Sequence, residues 1–453
     1  MRWRFIEFAL KTTPYSSGLP SGNLTCMTPS LRDLTLTSVK IGCLGFGGPA
    51  GQISLMHRVF VDEKKWIDEP RYLHALSFCT LLPGPEAQQL ATYVGWLLRG
   101  NLGGLIAGTL FVLPGAAVVF ALTWLYAAHG DLAPVAAAFG GIKAAVMALV
   151  AEALLRVGKR ALKGRFEAVV AVVAFLALAV FALPFPLVVL IAALIGAARG
   201  APDAAADALP APVGPGPGKR RTLATVMVWL ILWLAPLVVS ARLLGGDHWL
   251  TRVGTVFATL AATSFGGAYA LLAWLQQQAV DAQGWLTTAQ MVDGLGLAET
   301  TPGPLVLVNT FVGFMAGWNA TGGAAAWAGL GFLMALWQTF VPSFLFIFAG
   351  APWSETLRRS RRARGALGAV MAAVLGVIAS LAVWFAVHVL FAGSSPVRWP
   401  WGPTTWLPDP TSLDWITAAL AFAAGAALIR YRANVVVVIL ACAGAGLVRW
   451  TIS

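Results

Sequence analysis

Within stretches apolar enough for the interior of a bilayer, Pro-Gly-Pro occurs twice, at Pro83, Gly84, Pro85 and at Pro302, Gly303, Pro304. Each proline removes a backbone donor and crowds the preceding turn, and the glycine between them lets the chain bend. A continuous helix through either motif is not expected. A helix that restarts at membrane depth presents free N–H groups and the positive end of its macrodipole, which together attract an anion. The chemistry on offer is anion recognition by backbone amides. Two glycine runs accompany the motifs: GFGGPAG from Gly45 to Gly51, with Gly47, Gly48 and Pro49 at its centre, and FGGA from Phe265 to Ala268, with Gly266 and Gly267. Glycine weakens a helix by about 1 kcal/mol relative to alanine. Such runs make sense where a ligand approaches the backbone, or where two helices cross closely as in GxxxG packing.

Side chains that could assist lie near the same depth. Lys40 and Lys143 could neutralise an anion or snorkel to an interface, and Glu86, Glu152, Asp293 and Glu299 are the intramembrane acids. A buried carboxylate could carry a coupling proton, and Glu86, directly after Pro85, could equally serve its helix N-terminus. Gln52, Gln88, Gln89, Asn309, Thr300 and Thr301 add neutral hydrogen-bonding groups. The candidate substrate-binding set is therefore Lys40, Gly47, Gly48, Pro49, Pro83, Gly84, Pro85, Glu86, Gln88, Lys143, Gly266, Gly267, Pro302, Gly303, Pro304 and Asn309. The four cysteines form no CxxC pair, the five histidines show no HExxH-like spacing, and no GxxxxGK[ST] loop is present. No metal, cofactor or catalytic residue is expected, and the chain does not read as an enzyme.

The elements that must position these residues follow from composition. Of 453 residues, 58% are hydrophobic and 11% charged, and mean hydropathy is +0.76. The expected fold is an all-α polytopic integral membrane protein. The segment 1–33 breaks its apolar content with Pro, Gly and Ser, so no cleaved signal peptide is read. Apolar runs near 34–56, 72–98, 103–127, 134–155, 166–183, 185–198, 222–241, 253–275, 288–316, 323–349, 366–392, 414–429 and 431–448 suggest about 13 transmembrane helices. The pairs 166–198 and 414–448 could each be re-entrant. The net charge of +12 resides in clusters between spans, which fits positive-inside topology rather than nucleic-acid binding. Lys and Arg gather in the N-terminal segment and alternate loops, predicting a cytoplasmic N-terminus and an external C-terminus. Abundant small residues permit a helix-packed homodimer within the lipid.

The motifs also repeat. Phe46 and Phe265, Trp66 and Trp285, and Pro83 and Pro302 are all separated by one and the same interval. Further on, the register slips by one, so that Tyr93 matches Phe311 and Asn101 matches Asn319; later AVMALV from Ala145 matches AVMAAV from Ala369. The expected organisation is a cytoplasmic segment 1–33, a first repeat 34–198, a Pro/Gly/Ala-rich cytoplasmic linker 199–221, a connecting helix 222–241 and a second repeat 253–448. Seven spans separate the two starts, so the copies face opposite ways, as in secondary transporters whose sites lie where broken helices meet at the midplane.

The stretch GFGGPAGQISLMHRVFVDEKKWI, followed by LLPGPEAQQLATYVGWLLRGNLGGLIAGTLFVLPG, closely resembles the chromate ion transporter family. The two-copy layout is similar to its long, two-domain members. That resemblance implies chromate efflux across a bacterial inner membrane and chromate resistance, with coupling to protons or exchange with sulfate. Some members have His where this chain has Gln52. Ala268 stands in the second copy for Pro49 and Leu305 for Glu86, which places the stronger substrate contacts in the first copy. Another oxyanion carried on the same scaffold, an anion channel and a membrane-embedded chromate reductase are the competing readings.

Overall fold

The computed structural model describes residues 29–46, 48–130, 132–201, 219–265, 268–353, 360–391, 393–398 and 404–452. Gly47, Gly266 and Gly267, residues 1–28 and residues 202–218 of the expected linker lie outside them. Among the described residues there are sixteen α-helices. The first seven are α1 (Leu31–Leu44), α2 (Gly48–His57), α3 (Glu69–Cys79), α4 (Glu86–His129), α5 (Ala133–Ala161), α6 (Arg165–Ala179) and α7 (Phe185–Arg199). A connecting helix, α8 (Lys219–Leu244), leads to α9 (Trp249–Thr263), α10 (Ala268–Gln276), α11 (Thr288–Thr300), α12 (Val308–Ala320), α13 (Ala325–Gly350) and α14 (Arg361–Leu390). After an antiparallel hairpin of β1 (Ser394–Arg398) and β2 (Thr404–Pro408) come α15 (Trp415–Gly425) and α16 (Val435–Ile452). The all-α membrane fold is as expected. By length and composition, six helices could cross a membrane unaided, α8 among them.

The same local steps recur in both halves. α1 stops at Gly45 (φ −76°, ψ 63°) and α9 at Ser264 (φ −80°, ψ 80°). After the glycine run, α2 and α10 each end in a π-helical turn, Arg58–Glu63 and Gln277–Ala282. Trp66 N then donates to Phe60 O at 2.9 Å, and Trp285 N to Ala279 O at 2.8 Å. Asp68 caps α3 and Thr287 caps α11. The expected single spans 34–56 and 253–275 are therefore corrected to two helices each, because the first helix ends at Leu44 and at Thr263, too short to cross alone.

The helices beyond Pro-Gly-Pro show why the register slips. In the first copy an α-helix begins at once, at Glu86, whereas in the second a 3₁₀ turn, Leu305–Leu307, precedes α12. Three 3₁₀ residues advance about 6 Å where three α residues advance about 4.5 Å. The difference is one residue's rise, which absorbs the residue that the second copy lacks.

Within α4 the non-helical residues Arg99 (φ −142°, ψ 25°) and Gly100 (φ +63°, ψ −156°) divide the helix into two arms and fold it back on itself. Its arms, 86–98 and 101–129, correspond to α12 and α13. A Cβ on Gly95 would overlap Gly103 O, and one on Gly313 would overlap Gly331 O, so each pair of arms meets backbone to backbone. The halves are also interleaved. α6 and α7 pack on α14 rather than on each other, while α15 and α16 pack on α5. At 15 residues, or about 22 Å, α6 and α7 are each shorter than the hydrocarbon thickness of about 30 Å.

These contacts predict that Gly95→Ala and Gly313→Ala each lower the thermal midpoint of the detergent-purified protein. Gly140→Ala, where a Cβ meets nothing within 4 Å, should leave it unchanged or raised.

Candidate functional site

Each Pro-Gly-Pro forms the tip of a helical hairpin. Phe78 on α3 stacks near Tyr93 on α4, with centroids 5.6 Å apart, and a Cβ on Gly294 of α11 would overlap Phe311 of α12. The chain thus reverses at residues 83–85 and 302–304, with Gly84 at φ +112° and Gly303 at φ +100°. L side chains rarely adopt that backbone, which explains the glycine between the prolines.

The tips touch the opposite half. Gly84 N donates to Ser264 O at 2.8 Å, and Gly303 N donates to Gly45 O at 3.0 Å. Gly45 and Ser264 occupy matching positions, as do Gly84 and Gly303, so one contact repeats the other. Gln52, fully buried, fastens the second of them: its Nε2 donates to Gly45 O at 3.1 Å and to Gly303 O at 2.5 Å. In the first tip Gln89 Nε2 donates to Pro83 O at 2.6 Å.

Each tip also rests on a proline-containing segment of the other half's long helix. Ser343, after Pro342 in α13, places Oγ 3.5 Å from where a Gly84 Cβ would stand. Gly115, after Pro114 in α4, lies against Pro302 O and Gly303 Cα, and a Cβ there would overlap the carbonyl.

The helix starts at these tips are bare. α4 has Pro85 as its N-cap with no side-chain hydrogen bond, and its first internal bond is Gln89 N to Pro85 O at 3.0 Å. The N–H groups of Glu86, Ala87 and Gln88 therefore lack intrahelical acceptors, as do those of Leu305 and Val306 in the second copy. The buried hydroxyls of Ser264 and Ser343 have no partner among the described residues. Such an arrangement can hydrogen-bond an oxyanion through amides and neutral hydroxyls without burying a fixed positive charge.

The expected residues sort into groups. Pro83, Gly84, Pro85, Pro302, Gly303 and Pro304 come together in the two tips. Gly48 and Pro49 open α2 beside Gly45, both half-buried. Glu86 is half-buried in the first turn of α4, where a carboxylate favours the helix dipole. Gln88 donates to Phe340 O at 3.2 Å and Asn309 to Thr339 Oγ1 at 3.1 Å, so both reach α13. Gly47, Gly266 and Gly267 fall outside the described residues. The lysines stand apart from the tips: Lys40 is exposed and 3.9 Å from Glu63, and Lys143 is 3.5 Å from Asp293. Sequence reasoning misses Ser264, Ser343 and Gly115. The signals are present, since Ser264 sits where the first copy has Gly45, and Pro342-Ser343 parallels Pro114-Gly115.

Below the first tip, α2 is clamped to α3. His57 Nε2 hydrogen-bonds Glu69, Asp62 Oδ2 is 3.4 Å from Nδ1, and Tyr72 packs edge-on at 5.1 Å. The Glu69 hydrogen bond raises the His57 pKa above its ordinary value against a desolvation effect, and Asp62 adds to the rise. The second copy has Gln276 here, donating to Asp281 at 2.8 Å, so only the first clamp titrates through an imidazole.

Paired hairpins with bare helix starts meeting inside an all-α polytopic bundle define the class: a membrane protein of the transporter type. The sequence profile described as chromate transporter matches residues 32–197 and 251–447, and the chain belongs to that family. A chromate transport protein of Pseudomonas aeruginosa is 34% identical over 316 residues, 68% of this chain and 70% of its own. One of Cupriavidus metallidurans is 30% identical over 334 residues, 73% of this chain and 76% of its own. An uncharacterized transporter of Methanocaldococcus jannaschii is 24% identical over 80% of this chain and 86% of its own. No solved structure matches.

Two outcomes follow. Gly303→Ala and Gly115→Ala should each destabilise the purified protein by about 1–3 kcal/mol, from positive-φ strain and steric overlap respectively, whereas Ser343→Ala should cost less. The His57 clamp should contribute fully below its unfolded-state pKa of about 6.5 and lose its contribution as pH rises through the higher folded value. Glu69→Gln should flatten that pH dependence in thermal unfolding.

Proposed function

We propose that this protein is a secondary active carrier that exports chromate across a bacterial inner membrane and thereby confers chromate resistance. The observation that carries this reading is that each tip hydrogen-bonds the end of a broken helix in the opposite half. The free backbone amides of Glu86, Ala87, Gln88, Leu305 and Val306, with the side chains of Ser264, Ser343, Gln88 and Asn309 around them, form one site contributed by both halves. A tetrahedral dianion offers four oxygens, enough to engage donors from both tips at once. Gly48 and Pro49 give that anion access to the backbone beside Gly45. Lys40 and Lys143 are assigned outer roles, because each already has a carboxylate neighbour.

In this reading the halves, 34–198 and 253–448, are inverted copies joined through the cytoplasmic linker and α8. The N-terminus is cytoplasmic and the C-terminus periplasmic. Alternating access exchanges which tip is closed: parting Gly84 from Ser264 opens one side, and parting Gly303 from Gly45 opens the other. Glu86 has Leu305 as its counterpart, so the two sides differ chemically. An inside-negative potential of 100 mV favours outward movement of a dianion by about 4.6 kcal/mol. Export therefore needs no ATP, and protons or an exchanged anion such as sulfate set the remaining coupling.

Proteoliposomes with controlled voltage and pH test the proposal. Chromate should move toward the positive side, with Gly84→Ala and Gly303→Ala each reducing transport severely when compared at equal amounts of folded, reconstituted protein. Full transport by both variants, or flux that ignores voltage, would overturn it. Competition by sulfate and molybdate against labelled chromate ranks the oxyanions, and stronger competition by sulfate would reassign the principal substrate.

A further inference from the structure

A charge pair between a buried carboxylate and a half-buried ammonium ties α11, the arm that leads into the second tip, to α5. Lys143 Nζ lies 3.5 Å from Asp293 Oδ1, and Tyr126 donates to Asp293 Oδ2 at 2.9 Å. Asp293 is 7% exposed. Desolvating the Asp293 carboxylate is costly, and apolar residues of similar volume commonly serve stability as well as a buried charge does. Stability alone gives no reason for the pair.

The pair also breaks the symmetry that governs the tips. At the interval that relates Pro83 to Pro302, Asp293 aligns with His74, and in the alignment that matches Ala145 to Ala369, Lys143 aligns with Leu367. No equivalent pair can form in the other half. Tyr126 of α4 and Lys143 of α5 face the carboxylate. The neighbouring elements also bear His129 on α4, Cys442 and Arg449 on α16, and Asp281 on the π-helical turn. Glu299 lies further along α11. Glu152 is held by Arg156, and Arg449 by Asp414, each at 2.6 Å.

Polar space leads to this pair. Lys143 lines a cavity of about 400 Å³ together with His388, Asp414, Thr417 and Arg449. His388 also lines a second cavity, of about 680 Å³, with Gln276, Asp281 and Thr288. Its Nδ1 donates to Trp384 O at 2.9 Å. Partial desolvation raises the Asp281 carboxyl above its ordinary value, opposed by the Gln276 hydrogen bond and by His388.

We propose that Asp293 is the proton-binding carboxylate that couples transport to a pH gradient, reached from the Asp281 cavity through His388. One proton adds to the Asp293 carboxylate, Lys143 keeps its charge but loses its partner, and the α11 hairpin is unlatched from α5. In the alternate state the same proton leaves to water, and the pair re-forms. Intramembrane ionisable groups that pair with one another and border water-sized cavities are the usual elements of such relays. This inference rests on the transporter reading and adds to it the coupling ion and its site.

The test separates the two. Reconstituted wild type is assayed for labelled-chromate exchange at equal pH and voltage, and for chromate movement driven by a pH gradient with proton flux followed by an entrapped pH dye. Exchange in the wild type tests the transporter reading by itself. The coupling proposal expects Asp293→Asn to retain exchange and to lose both gradient-driven accumulation and chromate-linked proton flux, with Asp293→Glu restoring them at a shifted pH profile. Should the neutral amide leave the Lys143 charge destabilising, the double variant Asp293→Asn with Lys143→Met removes both charges and is read in the same way. Gradient-driven transport at the wild-type level in either variant, loss of exchange together with coupling in both, or no chromate-linked proton movement in the wild type would each overturn it.

Discussion

The arrangement of the whole bundle depends on two backbone hydrogen bonds, Gly84 N to Ser264 O and Gly303 N to Gly45 O. Each joins the tip of a hairpin in one half to the end of a broken helix in the other. Both donors need the positive-φ backbone that glycine readily adopts, at Gly84 and Gly303, while Gly45 and Ser264 supply the accepting carbonyls. The flanking prolines keep the tip amides from being absorbed into a continuing helix. The same constraint reaches outward: a glycine at 115 leaves room for the Pro302 carbonyl, and Gln52 fastens Gly45 to Gly303. Interleaving of the short helix pairs with the long helix of the opposite half repeats this dependence at the periphery. Neither half could close its own core alone.

Departures from symmetry mark where the two halves differ in chemistry. Ser343 replaces Gly115, Leu305 replaces Glu86, and Gln276 replaces His57. The first tip is accordingly more polar and more accessible: Gly84 and Glu86 are half-buried, whereas Pro302, Gly303 and Pro304 are all buried. The imidazole clamp beneath it responds to pH, while its amide counterpart does not. The Lys143–Asp293 pair, which has no counterpart in the other half, lies on the arm that carries the second tip. A passive pore with two equivalent gates would have no need of these differences.

Much of this is legible in the sequence because proline and glycine act locally. The breaks at residues 83–85 and 302–304 follow from the lost donors and the freed backbone, and the constant interval between Phe46 and Phe265, Trp66 and Trp285, and Pro83 and Pro302 exposes the duplication without any structure. The all-α membrane class follows from composition alone. What the sequence hides is tertiary. Nothing in a single chain read in order reveals that Gly84 meets Ser264 rather than Gly45, since that partner lies in the other copy. Lys143 and Asp293 are visible as intramembrane charges, but their pairing is not, and the sequence leaves Lys143 free to meet an anion. The span 34–56 looks continuous because hydropathy averages over the few residues where the chain turns. The one-residue slip after the second Pro-Gly-Pro is plain in the alignment. Its cause, a 3₁₀ turn with its longer rise, requires the backbone.

Chromium provides its own label for the central claim. Crystals grown with chromate and measured near the chromium absorption edge should give an anomalous difference peak between the two tips, within hydrogen-bonding reach of the amides after Pro85 and Pro304. A principal peak lying instead against Lys40, or in the cavities beside His388, with the space between the tips empty, would contradict the account.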